Sequence, residues 1–252
     1  MTTRRRSPST EQVIGHVRDL IGRGDLKAGD KLPPERNLVA QLGVSRPTVR
    51  AALRALSAMG VIDARHGSGT YIRGGPPKLD TQALSFLAAI HGFTRDEIFE
   101  ARRVLEVSAA GMAAERATGN DLAAVAEEVA SLFASMDDPE LFLVHDMQFH
   151  RAIAMACGNP IVASLIELVS TLFLEHRRPT AARASDRNLR DAADMHRRIY
   201  MAIRKRDADL ARTLMNDHLR QAAMHHADEA LEAVHRGRAR QQRGLSNSAR
   251  GL

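Results

Sequence analysis

The stretch Gly43-Val44-Ser45-Arg46-Pro47-Thr48-Val49-Arg50-Ala51-Ala52-Leu53-Arg54 reads as a tight turn that feeds a helix. Gly43 permits the turn because it tolerates positive φ. Ser45 is a favoured N-cap, and Pro47 falls in a first turn, where no intrahelical N–H bond is lost. Val49, Ala52, Leu53 and Leu56 recur at helical spacing and make one apolar face. Arg46, Arg50 and Arg54 lie one turn apart on another face. At such a helix start Ser45, Arg46, Thr48 and Arg50 project forward, as a helix entering the major groove of DNA requires. Taken alone, three arginines fit a solvated surface helix better, so the flanking segments must decide.

Before this helix, Val13, Ile14, Val17, Leu20 and Ile21 mark a first helix capped by Ser9 or Thr10 and ended at Gly22 to Gly24. A turn-rich connector through Pro33-Pro34 leads to a second helix from about Glu35 to Leu42. After it, Gly60 suits a left-handed helix end. Val61 to Arg65 and Thr70 to Arg73 read as two strands joined at His66-Gly67-Ser68-Gly69. Three helices and a hairpin make a winged helix-turn-helix over residues 9–75, with the wing glycines free to approach a phosphate or minor groove.

Charge supports the division. Residues 1–75 hold thirteen Lys/Arg against six Asp/Glu, whereas residues 76–235 hold eighteen against twenty-four. A basic front on an acidic body suits a chain whose front alone meets a polyanion. Cys157 is the sole cysteine, which excludes a disulfide framework and fits a reducing compartment. No apolar run nears the ~18 residues of a membrane span, and Arg4 to Arg6 are not followed by a signal-peptide core. A cytoplasmic protein without a membrane partner is expected. Aromatics make up 4% of the chain and Trp is absent, which argues against base-stacking single-strand binders.

The front segment resembles the DNA-binding domain of the GntR family of bacterial transcription regulators. The resemblance rests on Gly29-Asp30-Lys31-Leu32-Pro33-Pro34-Glu35-Arg36, on Leu42 to Arg50, and on Leu53, Leu56, Gly60 and His66-Gly67-Ser68-Gly69-Thr70. It implies that Arg36, Arg46 and Arg50 contact a double-stranded operator, with Ser45 and Thr48 beside them and His66-Gly67 at the wing. Ala51 departs from the family's usual glutamate.

Residues 76–79 read as a linker and 80–235 as an all-α antiparallel helix bundle. Helices are expected at roughly 80–91, 95–118, 121–136, 139–157, 160–178, 187–206 and 208–235, with Val104, Leu122, Phe133, Leu141, Val144 and Ile153 among the core residues. Residues 236–252, rich in Arg, Gln and Ser, read as a disordered basic tail. The fold class is therefore mainly α with a two-stranded wing.

Asp146 and His150 stand i, i+4 on one helix face, His196 lies on the apolar side of a later helix, and His218 lies on the last one. A carboxylate and three imidazoles from three helices can close around a divalent metal. Such residues can also be ordinary hydrogen-bonded core groups, and a metal held this way could instead activate water in an enzyme.

The segment Asp146-Met147-Gln148-Phe149-His150-Arg151-Ala152-Ile153-Ala154, followed by Cys157-Gly158-Asn159-Pro160, resembles the FadR-type effector domain, the FCD domain. Glu100 to Glu106 match its early helix. The resemblance implies that Asp146, His150, His196 and His218 ligate zinc or nickel, and that Arg102 faces the effector cavity. It points to a homodimer that binds a palindromic operator and a small organic acid effector. A salt bridge from Arg102 to Glu106 is the plainer alternative for that arginine.

Overall fold

The computed structural model describes residues 10–75, 81–178 and 185–225. The expected linker 76–79, the tail 236–252 and the stretch of the last helix beyond 225 lie outside these residues. The chain divides into two compact units, Met1–Asp80 and Thr81–Leu252.

In the front unit, α1 (Thr10–Gly22), α2 (Glu35–Leu42) and α3 (Arg46–Ala58) precede an antiparallel hairpin of β1 (Ile62–Arg65) and β2 (Gly69–Ile72). The α2–α3 turn forms for local reasons. Gly43 adopts φ 65°, closing α2 through its N–H to the Val39 carbonyl. Ser45 Oγ then accepts the Thr48 N–H at 3.2 Å and opens α3. In the hairpin, Ile62 pairs with Ile72 and Arg65 with Gly69, so the core-facing ends of both strands meet. Gly69 sits at φ 124°, where a side chain is strained, and a Cβ there would come 2.5 Å from Lys31 Cε.

Val13, Val17, Leu38, Val49, Ala52 and Ile62 form the centre of this unit's core. Leu38 is wholly buried and holds the short α2 against its neighbours. Leu38→Ala is expected to cost about 2–5 kcal/mol of front-unit stability. Hydrogen exchange should show lost amide protection in α1–α3, with the unit that begins at Thr81 unchanged.

The rear unit comprises α4 (Thr81–His91), α5 (Arg95–Arg116), α6 (Gly119–Ala134), α7 (Pro139–Ala156), α8 (Pro160–Arg177) and α9 (Asp186–Arg204), and residues 208–225 form a further helix, α10. Side-chain caps set the starts of α5 to α9: Thr94 with Glu97, Thr118 with Asp121, Asp138, Asn159 and Ser185. Thr118 corrects the expected boundary of α6. Its capping box with Asp121 lets the helix begin at Gly119, two residues before the expected start at 121.

Helix α5 packs against α7, α8 and α9. It does so through Ala109, Ala110, Ala113 and Ala114, all fully buried, whose small size lets helices approach closely. Four expected core residues are instead exposed: Val104 (67%), Val144 (49%), Leu141 (45%) and Phe133 (40%). Val104, Leu141 and Val144 project away from the packed stripe of their helices, whereas Phe133, one turn on from Val129, sits at the edge of its stripe. Val104 stands about 200° around α5 from both Arg102 and Glu106, which are buried. No helix among the described residues is long and apolar enough to cross a membrane.

Candidate metal centre and nucleic-acid interface

The bundle brings Asp146 and His150 of α7, His196 of α9 and His218 of α10 together, with one ligand atom from each within 4.8 Å of all the others. The three imidazoles are 0–5% exposed. Phe149, also buried, stacks edge-on against the rings of His150 and His196 and walls the cluster.

Tautomers follow from the neighbours. His196 Nδ1 lies 2.6 Å from the Ala192 carbonyl, which can only accept, so Nδ1 carries the proton and the Nε2 lone pair faces the cluster. That Nε2 is 3.1 Å from Asp146 Oδ1 and has no aligned hydrogen-bond partner. His150 Nδ1 stands 2.5 Å from Glu106 Oε2, off the hydrogen-bond direction, which leaves its Nε2 facing His218 Nε2 at 3.2 Å and Asp146 Oδ1 at 3.9 Å. Electron-rich atoms held this close need protons or a cation between them.

A tetrahedral or octahedral divalent ion has neighbouring ligand atoms about 3.0–3.5 Å apart, given bonds near 2.1 Å. Two of the three separations fall in that range. Buried imidazoles whose outer nitrogens face a carbonyl and a carboxylate are arranged as metal ligands commonly are. The donor set and its geometry fit a divalent metal such as zinc.

Glu106 joins two parts of the site. Arg102 Nε donates to Glu106 Oε1 at 2.6 Å, and Glu106 Oε2 meets His150. Arg102 pairs with Glu106 in the buried interior and also lines a cavity. Its guanidinium lies 4.1 Å from the Phe173 ring centre, so the cation rests on an aromatic face. Burial raises the Glu106 carboxyl, but Arg102 and His150 outweigh it and hold the group at about 2. Burial likewise opposes charge on Asp146, yet His196, His150 and Arg102 keep it well below the usual carboxylate range. Burial first, then the neighbouring His196 and His150, push His218 well below the ordinary histidine value. A neutral His218 is a competent ligand.

The cavity beside the cluster measures about 70 Å³, room for roughly five waters. Arg102, Asp146 and His218 line it, as do Arg177, Asn188 and His225. Sequence reading missed Glu106 and Arg177 as site residues. Glu106 carried a signal, its i+4 spacing from Arg102, whereas Arg177 sits in a helix end that reads as surface.

In the front unit, Arg36, Ser45, Arg46 and Arg50 are exposed on α2 and at the start of α3, with Thr48 half-buried beside them. The Ser45 and Thr48 hydroxyls are 2.8 Å apart, so part of their capacity is used within the cap. Arg50 Nε donates to Glu35 at 3.0 Å, a surface pair that positions the guanidinium at little cost. His66 and Gly67 lie exposed at the hairpin tip, where Arg65 stacks 4.5 Å from the Tyr71 ring centre. His145 is half-buried and meets Glu128 at 2.9 Å.

Residues 9–72 match the family model "Bacterial regulatory proteins, gntR family", and residues 97–221 match the FCD domain. The chain is 35% identical over 227 residues to the Putative L-lactate dehydrogenase operon regulatory protein of Escherichia coli (strain K12), spanning 83% of each chain. It is 33% identical over 228 residues to the HTH-type transcriptional repressor NanR of Salmonella newport (strain SL254), covering 85% of this chain and 84% of that one. Among solved structures, Streptococcus agalactiae GntR matches with a TM-score of 0.66 and 28% identity, over 85% of this chain and 99% of that one. With a helix-turn-helix front unit, an FCD rear unit and relatives of this kind, the chain belongs to the GntR family of bacterial regulatory proteins, in its FadR-like branch, and is a DNA-binding transcription regulator.

Proposed function

We propose that the protein is a cytoplasmic, homodimeric repressor of an operon for organic-acid or sugar-acid metabolism, released from its operator by a small carboxylate. The observation that carries this reading is the conjunction of opposed acceptor atoms at Asp146, His150, His196 and His218 with an Arg102-lined cavity that reaches Asp146 and His218. The four residues hold a divalent metal, zinc foremost and nickel second. When bound, the metal supplies a Lewis-acidic site for a carboxylate oxygen.

Glu106 engages two of the five N–H donors of Arg102, and the remaining donors are available to the acid. Glu106 also orients His150, so acid binding and metal binding share one carboxylate. Two front units in a dimer present two α3 helices to the half-sites of a palindrome, with Arg36, Ser45, Arg46, Thr48, Arg50, His66 and Gly67 at the DNA. An acid that binds the operator-free arrangement more tightly shifts the population off DNA by its differential affinity.

A purely structural metal is the weaker reading, because two of its ligands line the cavity rather than being sealed from it. A metal-dependent enzyme with a DNA-binding appendage is weaker too, since the named relatives are regulators. The test combines metal analysis of protein purified without chelator with gel shifts on the region beside its own gene. About one divalent ion per chain and a salt-sensitive, specific shift weakened by a small organic acid are expected. Absence of metal would overturn the ligand assignment. Specific binding that no organic acid alters would overturn the effector.

A further inference from the structure

The outward face of the wing brings together two cations from separate segments of the chain. Side chains alternate along the hairpin. Ile62 and Ile72 turn inward to the core, so Asp63, Arg65, Gly69 and Tyr71 share the outer face. The connector after α1 widens that face. Leu32 N–H donates to the Thr70 carbonyl and Ile72 N–H to the Asp30 carbonyl, each at 2.8 Å, which sets Lys31 opposite Tyr71. Lys31 Nζ lies 5.8 Å from the Tyr71 ring centre and Arg65 Cζ lies 4.5 Å from it. The negative face of the ring attracts both.

Local contacts fix this arrangement. The Tyr71 hydroxyl shares a hydrogen bond of 2.6 Å with Ser68 Oγ, which orients the ring. Lys31 runs across Gly69, where a Cβ would meet Lys31 Cε at 2.5 Å. The neighbouring carboxylates are engaged elsewhere. Asp63 accepts from Arg73 Nε at 3.0 Å, and Asp30 accepts the Lys27 N–H at 2.7 Å. Lys31 and Arg65 are both exposed, and neither forms an ion pair among the described residues. Like charges drawn to one ring repel each other, and an anion that meets both relieves that repulsion.

Resting on the DNA-binding role assigned above, we propose that Lys31 and Arg65 form a subsite for the phosphate backbone of the operator, with Tyr71 as its positioning residue. The ring holds the two long side chains on one face before DNA arrives, so less freedom is lost on contact. The subsite takes phosphates of any sequence and leaves base reading to α3. It draws on the connector after α1 as well as the hairpin, so the wing meets DNA with a wider cationic face than the His66-Gly67 tip.

Fluorescence anisotropy of the full-length chain on a selected and a scrambled duplex, across a salt series, tests this. Lys31→Met and Arg65→Met should each weaken both duplexes roughly 3- to 10-fold at about 0.1 M salt and lower the salt slope by about one. The ratio of the two affinities should hold. Tyr71→Leu keeps both charges and should weaken both duplexes about threefold, whereas Tyr71→Phe, which keeps the ring, should restore most of that loss. In the Lys31→Met/Arg65→Met background, Tyr71→Leu should cost nothing further, a result that a purely structural role for the ring would not give. Unchanged amide protection in α1–α3 shows that the variants fold. Unchanged affinity and slope in the double variant would overturn the subsite while leaving the DNA-binding role intact. A collapsed ratio would make the cations base readers and overturn the phosphate assignment. Equal loss from Tyr71→Leu with and without the cations would overturn the positioning role. Failure of the wild type to bind either duplex would overturn the DNA-binding role itself.

Discussion

His196→Ala is expected to strip the metal from the protein and to lower the stability of the rear unit by several kcal/mol. His196 is fully buried on α9, and its ring centre lies 4.4 Å from those of both Phe149 and His218. Two separate losses follow. Truncating the ring leaves a cavity in a packed core, which costs about 3–5 kcal/mol for an aromatic-sized side chain. It also removes one of four ligands, and with it the stabilisation that a bound ion gives the native state, about 2.7 kcal/mol when free metal is a hundred times its Kd.

A chelator separates the two losses. In chelator, wild type and variant differ by the packing loss alone. On adding zinc, the wild-type melting temperature should rise and that of the variant should not. His196→Gln keeps more of the volume, so it should recover packing without recovering the zinc response. Elemental analysis should show less than a tenth of an ion per chain in either variant. If His196→Ala retains one tightly bound ion, the cluster is not the metal site, and the 3.1 Å approach of Nε2 to Asp146 is a buried proton-sharing pair instead.

How much of this site was legible in the sequence depended on what each residue's neighbours in the chain revealed. Asp146 and His150 declared a shared face through i, i+4 spacing, and α7 keeps them on one side of the bundle. His196 and His218 could be singled out on their own helices, but only the resemblance tied them to Asp146 and His150 as one ligand set, because nothing local brings α9 and α10 to α7. The turn into α3 was legible from chemistry alone, since Gly43 and Ser45 act within a few residues of themselves. The face of α5 was not. Hydrophobicity singles out Val104, yet the stripe that packs is Ala109, Ala110, Ala113 and Ala114 together with the Arg102–Glu106 pair. A buried ion pair looks like surface in a sequence, and its partner in this case, His150, lies forty-four residues on. Arg177 failed in the same way. A basic residue in the last turn of a helix suits the dipole, so burial of its side chain is invisible without the bundle.

At the other end of the chain, Arg46→Ala and Arg50→Ala should each weaken specific operator binding about 10- to 100-fold, corresponding to about 1–3 kcal/mol per lost bidentate base contact. Arg46 is the first residue of α3 and is exposed, and Arg50 follows one turn later on the same face. Arg54 is exposed one further turn along and therefore recedes from the groove toward the phosphates. Its removal should weaken operator and scrambled duplexes alike and lower the salt slope by about one.

Fluorescence anisotropy with a duplex selected by the wild-type protein from a random pool, beside a scrambled duplex, reads both quantities across a salt series. The ratio of the two affinities is what decides. It should collapse for Arg46→Ala and Arg50→Ala and hold for Arg54→Ala. A constant ratio in all three variants would make the arginines phosphate contacts only and move base reading elsewhere. Glu35→Gln refines the assignment of Arg50. The exposed Glu35–Arg50 pair contributes at most about 1 kcal/mol to stability, so its loss should leave folding unchanged. If Glu35 holds the Arg50 guanidinium ready for a base, the variant should lose part of the affinity ratio despite gaining a more positive surface. If Glu35 only competes with DNA for Arg50, affinity should rise for every duplex and the ratio should stay where it was. Comparing ratio with absolute affinity therefore tells positioning from competition, even though both act through the same 3.0 Å contact.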